Sequence, residues 1–227
     1  MILRALSLAV AQLGDRAMIG IFAKSMLVSL FLFAVFAGAI LAGTKSAAEA
    51  SGWFEEGSSY FVVVGVAIIG LLIGSTLFRA IAIPVLGFFG DQVVAAVEAR
   101  HYPAANASAK KVGVGLSLKL GLASFGRVLI VNLAALPVYL FLLITAVGPL
   151  VLFVVLNAIL LGRDLGDMVG VRHLEGSAIK AWLGQSRWDR WMLGLIVTGL
   201  FLIPFVNLIA PLLGAAAATH LFHGKTA

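Results

Sequence analysis

Residues 58–78 read SSYFVVVGVAIIGLLIGSTLF and residues 26–42 read MLVSLFLFAVFAGAILA, and neither stretch contains a charged side chain. An uninterrupted apolar run of about 18 residues or more is long enough to cross a bilayer as an α-helix. A transmembrane β-barrel would instead show short segments of alternating polarity, and the sequence does not have that pattern. The two runs therefore predict an integral membrane protein built from α-helices.

The composition of the whole chain agrees with this prediction. Hydrophobic residues make up 62% of the 227 residues and charged residues only 11%, whereas a soluble domain has about 25% charged residues. A net charge of +6 is compatible with nucleic-acid binding, but the positive residues cluster beside the apolar blocks, as in membrane proteins. We therefore expect a lipid bilayer as the surroundings and no nucleic-acid partner. The absence of cysteine excludes disulfides and thiolate metal sites.

The alternation of apolar and polar segments predicts one membrane domain over residues 1–227, with breaks marked by proline and glycine. Its predicted parts are an interfacial lead (1–16), two long membrane helices (17–43 and 59–83), cytoplasmic amphipathic helices (84–126, the first at about 90–101 and the second at about 105–123), a first helical hairpin (127–162), a polar connector (163–190) and a second hairpin (191–222).

The length of the hairpin arms indicates how they meet the bilayer. The arm from Trp191 to Ile203 has 13 residues, which as a helix span roughly 20 Å against a hydrocarbon core of about 30 Å. We therefore expect the hairpins to enter the membrane and return, with protein around their irregular backbone. The alternative is four short complete crossings, and the longer arms of the first hairpin favour it there. The predicted fold class is all-α, with two long transmembrane helices plus two hemi-penetrating hairpins.

The distribution of charge predicts the orientation. Residues 79–127 contain six Lys or Arg and two acids, whereas residues 44–59 contain one Lys and three Glu. Because positive loops stay on the cytoplasmic side, we expect both termini and the basic segments 79–127 and 162–190 in the cytoplasm of a multi-pass protein.

Motifs of enzyme chemistry are missing from the sequence. No phosphate-binding loop, nucleophile elbow or paired carboxylates at a defined spacing occur. We therefore predict a protein that is not an enzyme, with no catalytic residue and no cofactor; a membrane enzyme is the weakest alternative. His220 and His223 are one helical turn apart, but no carboxylate lies near them in the sequence. The prediction is accordingly no metal site, with both side chains at the membrane interface.

One turn has the chemistry of an anion site. Gly14, Asp15 and Arg16 precede the first long helix, with Asp15 a candidate N-cap. Free N–H groups and the positive end of the helix dipole attract anions there, glycine allows close approach, and arginine offers a fork of donors. The three residues are candidate anion-binding residues; the alternative for Arg16 is a positive anchor at the cytoplasmic interface.

Ionisable residues beside the apolar blocks are candidates for a pore or a charge network, because burying them is costly. They are Glu98, Arg100, Arg79 and Arg127. Glu98 and Arg100 are two residues apart and cannot face each other on a helix. Candidate partners of Glu98 are therefore Arg79, Arg127 or a residue of another subunit, while membrane anchoring is the alternative role for the arginines.

An ordered set of short motifs resembles CysZ-type bacterial sulfate transporters over most of the chain. The motifs are Ile83-Pro84, Gly90-Asp91, Val97-Glu98-Ala99-Arg100, Gly126-Arg127-Val128-Leu129, Ile203-Pro204-Phe205-Val206-Asn207-Leu208, Ala210-Pro211, Gly214-Ala215-Ala216 and Thr219. The resemblance implies two long spanning helices, two hemi-penetrating hairpins and an oligomer in the bacterial inner membrane. It also implies inward movement of sulfate for cysteine biosynthesis without ATP hydrolysis.

The resemblance further implies a sulfate site at a Gly-x-Arg-Arg turn before the first long helix. That turn is similar to Gly14-Asp15-Arg16-Ala17, where the glycine and the first arginine match. Ala17 stands in place of the second arginine and Asp15 adds a negative charge, so we expect weaker binding of sulfate at this turn.

Two classes of function follow from the sequence. The first is a sulfate permease, which we expect to be a homo-oligomer because two full crossings in one chain cannot enclose an aqueous path. The second is a non-transporting accessory or regulatory membrane protein, whose hairpins would dock another permease.

Overall fold

The structure is a computed structural model that describes residues 1–51, 74, 77, 78, 81, 82, 85 and 88–226. The helices with continuous described ranges are α1 (Ile2–Gln12), α2 (Arg16–Ser51), α3 (Gly90–His101), α4 (Pro103–Ser108), α5 (Val114–Leu142), α6 (Gly148–His173), α7 (Gly176–Gln185), α8 (Arg187–Phe201) and α9 (Ala210–Thr226). No strand occurs in these residues, which confirms the prediction of an all-α protein. Most of the predicted helix 59–83, including Arg79, lies outside the described residues.

Three of the described helices are long and apolar enough to cross a bilayer. They cover Arg16–Ile40, Gly115–Thr145 and Gly148–His173, with mean hydropathies of 2.2, 2.4 and 1.7. These helices confirm the prediction of a helical membrane protein. The number of crossings and the depth of the hairpins stay predictions.

The first hairpin differs from the sequence expectation in its boundaries. A single helix α5 replaces the amphipathic helix expected at about 105–123 and the hairpin arm after it; the chain breaks at 109–113 instead. Lys119 and Arg127 do not interrupt it, because a charged side chain leaves the backbone hydrogen bonds of a helix intact. The 29 residues of α5 span about 43 Å, and this length favours complete crossing in the first hairpin.

The second hairpin has shorter arms. Helix α8 has 15 residues, or roughly 22 Å, which is less than the hydrocarbon thickness of about 30 Å. Partial penetration of the second hairpin stays a prediction, and the prediction requires an arm of this kind, shorter than the hydrocarbon core. The two hairpins share a feature at their bends, where Ala146 (φ 57°) and Phe205 (φ 67°) have a positive φ angle beside a short 3-10 turn.

The chain divides into two compact units. Residues Phe22–Phe88 form the smaller one, in which Phe33 of α2 and Phe78 make an edge-to-face contact with ring centroids 5.7 Å apart. The larger one, called here the main unit, contains Met1–Ile21 and Phe89–Ala227. The candidate site residues that the structure describes lie in the main unit.

Helix α9 is the core of the main unit. All of its residues from 212 to 223 are buried, among helices α1, α3, α6 and α8. A helix that is apolar on all sides is typical of such a position, and the small residues 214–218 let neighbouring helices approach closely. His220 and His223 are 3% and 7% exposed. They are interior residues, so the expectation that they lie at the membrane interface is wrong.

Helices α6 and α8 pack closely, backbone to backbone, at two glycines. A Cβ atom at Gly162 would collide with the carbonyl group of Arg190, and one at Gly194 would collide with the carbonyl group of Ala158. Contacts of this kind, made by small residues four apart, are common between membrane helices. They fix α6 against α8 and so position the residues at the end of α6.

Candidate functional site

The turn between α1 and α2 has the predicted geometry of an exposed helix N-terminus. Helix α1 ends at Gln12, and α2 begins at Arg16. The carbonyl oxygen of Asp15 accepts the first helical hydrogen bond from the N–H of Ile19 at 2.9 Å, so Asp15 occupies the N-cap position. The backbone N–H groups of residues 16–18 precede any helical acceptor and point out of the helix end.

A cavity of about 300 Å³ lies beside this turn. Its lining residues are Gln12, Asp15, Arg16, Ala17, Met18, Ala96 and Arg100. The structure therefore places two of the three predicted anion-binding residues, Asp15 and Arg16, on one cavity. Gly14 does not line it, and a Cβ atom at Gly14 would meet nothing within 4 Å. No neighbouring protein atom therefore requires glycine at this position.

Arg100 also lines this cavity, which the sequence did not predict. It comes from α3, and its guanidinium group forms an ion pair with the carboxylate of Asp15. The cavity thus contains two arginines and one carboxylate. The Gly-x-Arg-Arg turn of the resembling transporters has a second arginine at the position of Ala17. In this chain Arg100 supplies a second guanidinium group to the same cavity instead.

The described residues of the predicted charge network do not lie together in the structure. Arg127 lies on α5 and contacts Asp164 (2.8 Å) and Asp167 (3.6 Å) of α6, so it does not meet Glu98. The two aspartates lie on α6, which continues past residue 162 into the segment predicted as the polar connector 163–190. Arg79 lies outside the described residues, so its place in the predicted network stays a prediction.

Glu98 has a partner that the sequence did not indicate. It lies on α3 with no exposed surface, and its Oε2 atom accepts hydrogen bonds from Nε (3.2 Å) and Nη2 (2.8 Å) of Arg172. Arg172 is near the end of α6 and is itself 7% exposed. The pairing could not be inferred from the sequence, because 74 positions separate the two residues.

The second oxygen of Glu98 faces two histidines. Nε2 of His173 is 2.6 Å and Nε2 of His223 is 3.2 Å from Oε1. Burial of Glu98 raises the pKa of its carboxyl group, but the hydrogen bonds from His223, His173 and Arg172 outweigh burial and lower this pKa to about 2. A carboxylate can only accept hydrogen bonds, so each histidine donates an N–H to it.

The two remaining histidines of the chain lie next to this group. Nε2 of His220 is 3.0 Å from Oε1 of Gln12, and its Nδ1 is 3.0 Å from the hydroxyl group of Tyr102. The ring of Tyr102 stacks on His223 with centroids 4.4 Å apart, and His101 contacts His220 edge to face. We use the term histidine cluster for Glu98, His101, Tyr102, His173, His220 and His223. The only sequence signal for it is the one-turn spacing of the last two histidines.

The comparisons with known proteins agree with the resemblance seen in the sequence. A sequence model of the family described as "EI24: Sulfate transporter CysZ/Etoposide-induced protein 2.4" matches residues 5–211. No curated protein matches the chain significantly. The matched range contains the cavity at the start of α2, Glu98 and His173, whereas His220 and His223 lie beyond it.

Proposed function

The chain belongs to the EI24 family, which the family description names for the sulfate transporter CysZ and the etoposide-induced protein 2.4, and on this premise we propose that it is a sulfate permease. We propose further that it acts in the bacterial inner membrane, with its termini and basic segments in the cytoplasm, and supplies sulfate for cysteine biosynthesis without hydrolysing ATP. The apolar helices and the family support membrane transport; sulfate as the substrate rests on the site.

The cavity at the start of α2 is the observation that supports sulfate most directly. Sulfate is a tetrahedral dianion that accepts hydrogen bonds on all its oxygens, and helix N-termini and guanidinium groups are suitable donors. Here residues 16–18, which form the first turn of α2, and Arg100 line one cavity of about 300 Å³. In the proposed complex, Arg100 replaces the second arginine of the family turn.

Asp15 sets the strength of this site. Its carboxylate already pairs with Arg100, so an entering sulfate competes with Asp15 for the same guanidinium group. We therefore propose weak, readily reversible binding, which suits a permease because a substrate that binds too tightly is not released.

Oligomerisation is part of the proposal. In the hydrophobic span Gly115–Thr145, none of the residues of its most apolar window is buried within the chain. Such a helix needs lipid or another subunit around it, and a water-filled path for sulfate needs protein on all sides. A homo-oligomer supplies both.

Uptake of labelled sulfate into proteoliposomes tests the function and the site. We expect saturable uptake by the wild type, a loss of about tenfold or more in Arg16→Ala and in Arg100→Ala, and near-normal uptake in Arg163→Ala, an arginine outside the cavity. Asp15→Asn should lower the half-saturating sulfate concentration, because Arg100 is released for the anion.

The outcomes separate the function from the site. No uptake by the wild type would contradict the permease, and copurification of another permease would then favour the accessory role. Normal uptake in both Arg16→Ala and Arg100→Ala would contradict only the assignment of the cavity.

A further inference from the structure

Glu98, His173 and His223 bring three metal-binding atoms together in the interior of the main unit. One carboxylate oxygen and two imidazole nitrogens lie within 4.8 Å of one another. We propose that these three residues form a binding site for one divalent transition-metal ion, for which Zn²⁺ is the natural probe. Two imidazoles and a carboxylate form a ligand set that Zn²⁺ accepts in proteins.

The distances fit an ion after a small adjustment. Metal–ligand bonds of about 2.0–2.2 Å in a tetrahedral arrangement place the ligand atoms about 3.3 Å apart. Oε1 of Glu98 is already 3.2 Å from Nε2 of His223, and it is 2.6 Å from Nε2 of His173. For these two pairs the change needed is less than 1 Å, and the two imidazole nitrogens, which lie within 4.8 Å of each other, have to come to about the same separation. Each histidine keeps its ring neutral by moving the Nε2 proton to Nδ1, and the freed nitrogen lone pair binds the ion.

The surroundings hold the ligands in place. Arg172 binds Oε2 of Glu98 and so directs Oε1 towards the histidines, which is the role that residues around metal ligands commonly play. Tyr102 stacks on His223, and Phe222 stacks on His173 with centroids 5.3 Å apart. The positive charge of Arg172 opposes the ion, so we expect weaker binding than at a closed site with four protein ligands.

One of the three ligands, His223, lies beside a cavity. A second cavity of about 270 Å³ reaches His223 from the side of α1; its lining residues are Met1, Arg4, Ala5, Leu8, Tyr102, His220, Leu221, His223 and Gly224. Glu98 and His173 do not line this cavity. Three protein ligands leave a fourth position on a tetrahedral ion, which a water molecule would fill.

The alternative is a purely structural cluster in which Glu98 only accepts hydrogen bonds, and glutamine variants distinguish the two. A glutamine at His173 or His223 can still donate an N–H to Glu98, but it is a poor metal ligand. His220→Gln is the matched control, because His220 lies one turn from His223 on the same helix and bonds to Gln12 instead.

The test is calorimetric titration of Zn²⁺ into chelator-treated full-length protein that carries no polyhistidine tag. We expect one Zn²⁺ per chain in the wild type, binding weaker by about tenfold or more in His173→Gln and His223→Gln, and binding within about threefold of wild type in His220→Gln. The thermal midpoint without metal should stay close to wild type in the glutamine variants, while its increase with Zn²⁺ should disappear in the two ligand variants.

A measurement on the wild type alone tests the proposal even if the variants fail to fold. Co²⁺ bound by these ligands should give the intense visible absorption of a tetrahedral ion, and Zn²⁺ should displace it. Absence of saturable Zn²⁺ binding by the wild type would overturn the proposal, as would wild-type affinity in both ligand variants.

Discussion

Glu98 shows at the scale of one residue how a charge is tolerated in this interior. Its carboxylate has no exposed surface, and its three donors, Arg172, His173 and His223, come from two other helices. Removing one partner of a buried ion pair leaves the other charge without compensation, which is far more costly than losing a surface pair.

Substitution of Arg172 tests this dependence. We expect Arg172→Met to lower the free energy of unfolding by about 3–5 kcal/mol, because Glu98 then remains buried without its guanidinium partner. Lys110→Met is the control, since the pair between Lys110 and Glu175 is exposed and should contribute no more than about 1 kcal/mol. Denaturant titration in detergent measures both. Equal losses in the two variants would show that Glu98 does not need Arg172.

The pKa of Glu98 also predicts how stability depends on pH. The carboxyl group has a pKa of about 2 in the folded protein against 4.5 for the unfolded chain, so its stabilising effect is complete above about pH 4.5. It is lost as the pH falls towards 2, by on the order of 3 kcal/mol in total.

Unfolding at a series of pH values between 6 and 2 measures this effect. The wild type should lose more stability over that range than Glu98→Gln, which has no charge to lose. A parallel pH dependence in both proteins would contradict the assignment, since the groups that face Glu98, namely Arg172, His173 and His223, are present in both.

Residue-scale prediction from the sequence succeeded where the chemistry is local and failed where it is not. Asp15 and Arg16 could be placed at a helix start because capping depends on neighbours in the chain. Arg100 was named as a candidate, but its position at the same cavity depends on the packing of α3. The histidine cluster joins residues from three distant helices, and no local pattern encodes such a meeting.

At the scale of elements, the packing of α6 against α8 depends on glycine. Gly194 of α8 lies against the carbonyl group of Ala158 and the backbone nitrogen of Gly162. Backbone atoms cannot move aside as a flexible side chain can, so any added atom separates α6 from α8.

Two glycines of the same helix give a matched test of this contact. We expect Gly194→Ala to destabilise the protein by about 1–3 kcal/mol through overpacking. Gly199→Ala, where a Cβ atom would meet nothing within 4 Å, should be neutral or stabilise it by up to about 1 kcal/mol through its better helix propensity. Thermal unfolding of both variants in detergent provides the comparison. Tolerance of alanine at Gly194 would contradict the close approach.

The boundaries of the helices were predictable where the chain carries clear stop signals. Helix α3 runs over Gly90–His101 as expected, because Tyr102-Pro103 ends it. The continuity of α5 was not predicted, because the sequence contains apparent helix breaks at Gly121, Gly126 and Arg127. Glycine is common inside membrane helices, and a helix that long tolerates a few charges.

For the molecule as a whole, the composition and the long uncharged apolar runs were sufficient to identify a helical membrane protein. The central position of α9 was not predictable, because its buried stretch 212–218 is apolar throughout and has no polar face to show which neighbours surround it. The unburied apolar surface of α5 remains the best indication of what lies around the chain.

The proposed oligomer gives a prediction at this scale. Native mass spectrometry of the protein released from lipid nanodiscs should show more than one chain per particle, because the apolar surface of α5 and the proposed sulfate path both need further protein. Sulfate uptake by particles that contain a single chain would contradict this expectation.

The hydrogen bond between Gln12 and His220 has a kinetic consequence. It joins residues 208 positions apart, and α1 packs against α9. Contacts between such distant parts of a chain form slowly, because the loop between them must close first. We therefore expect the main unit to refold slowly from a denaturing detergent, with α6 and α8 associating early and the docking of α9 between α1 and α3 as the late, rate-limiting step.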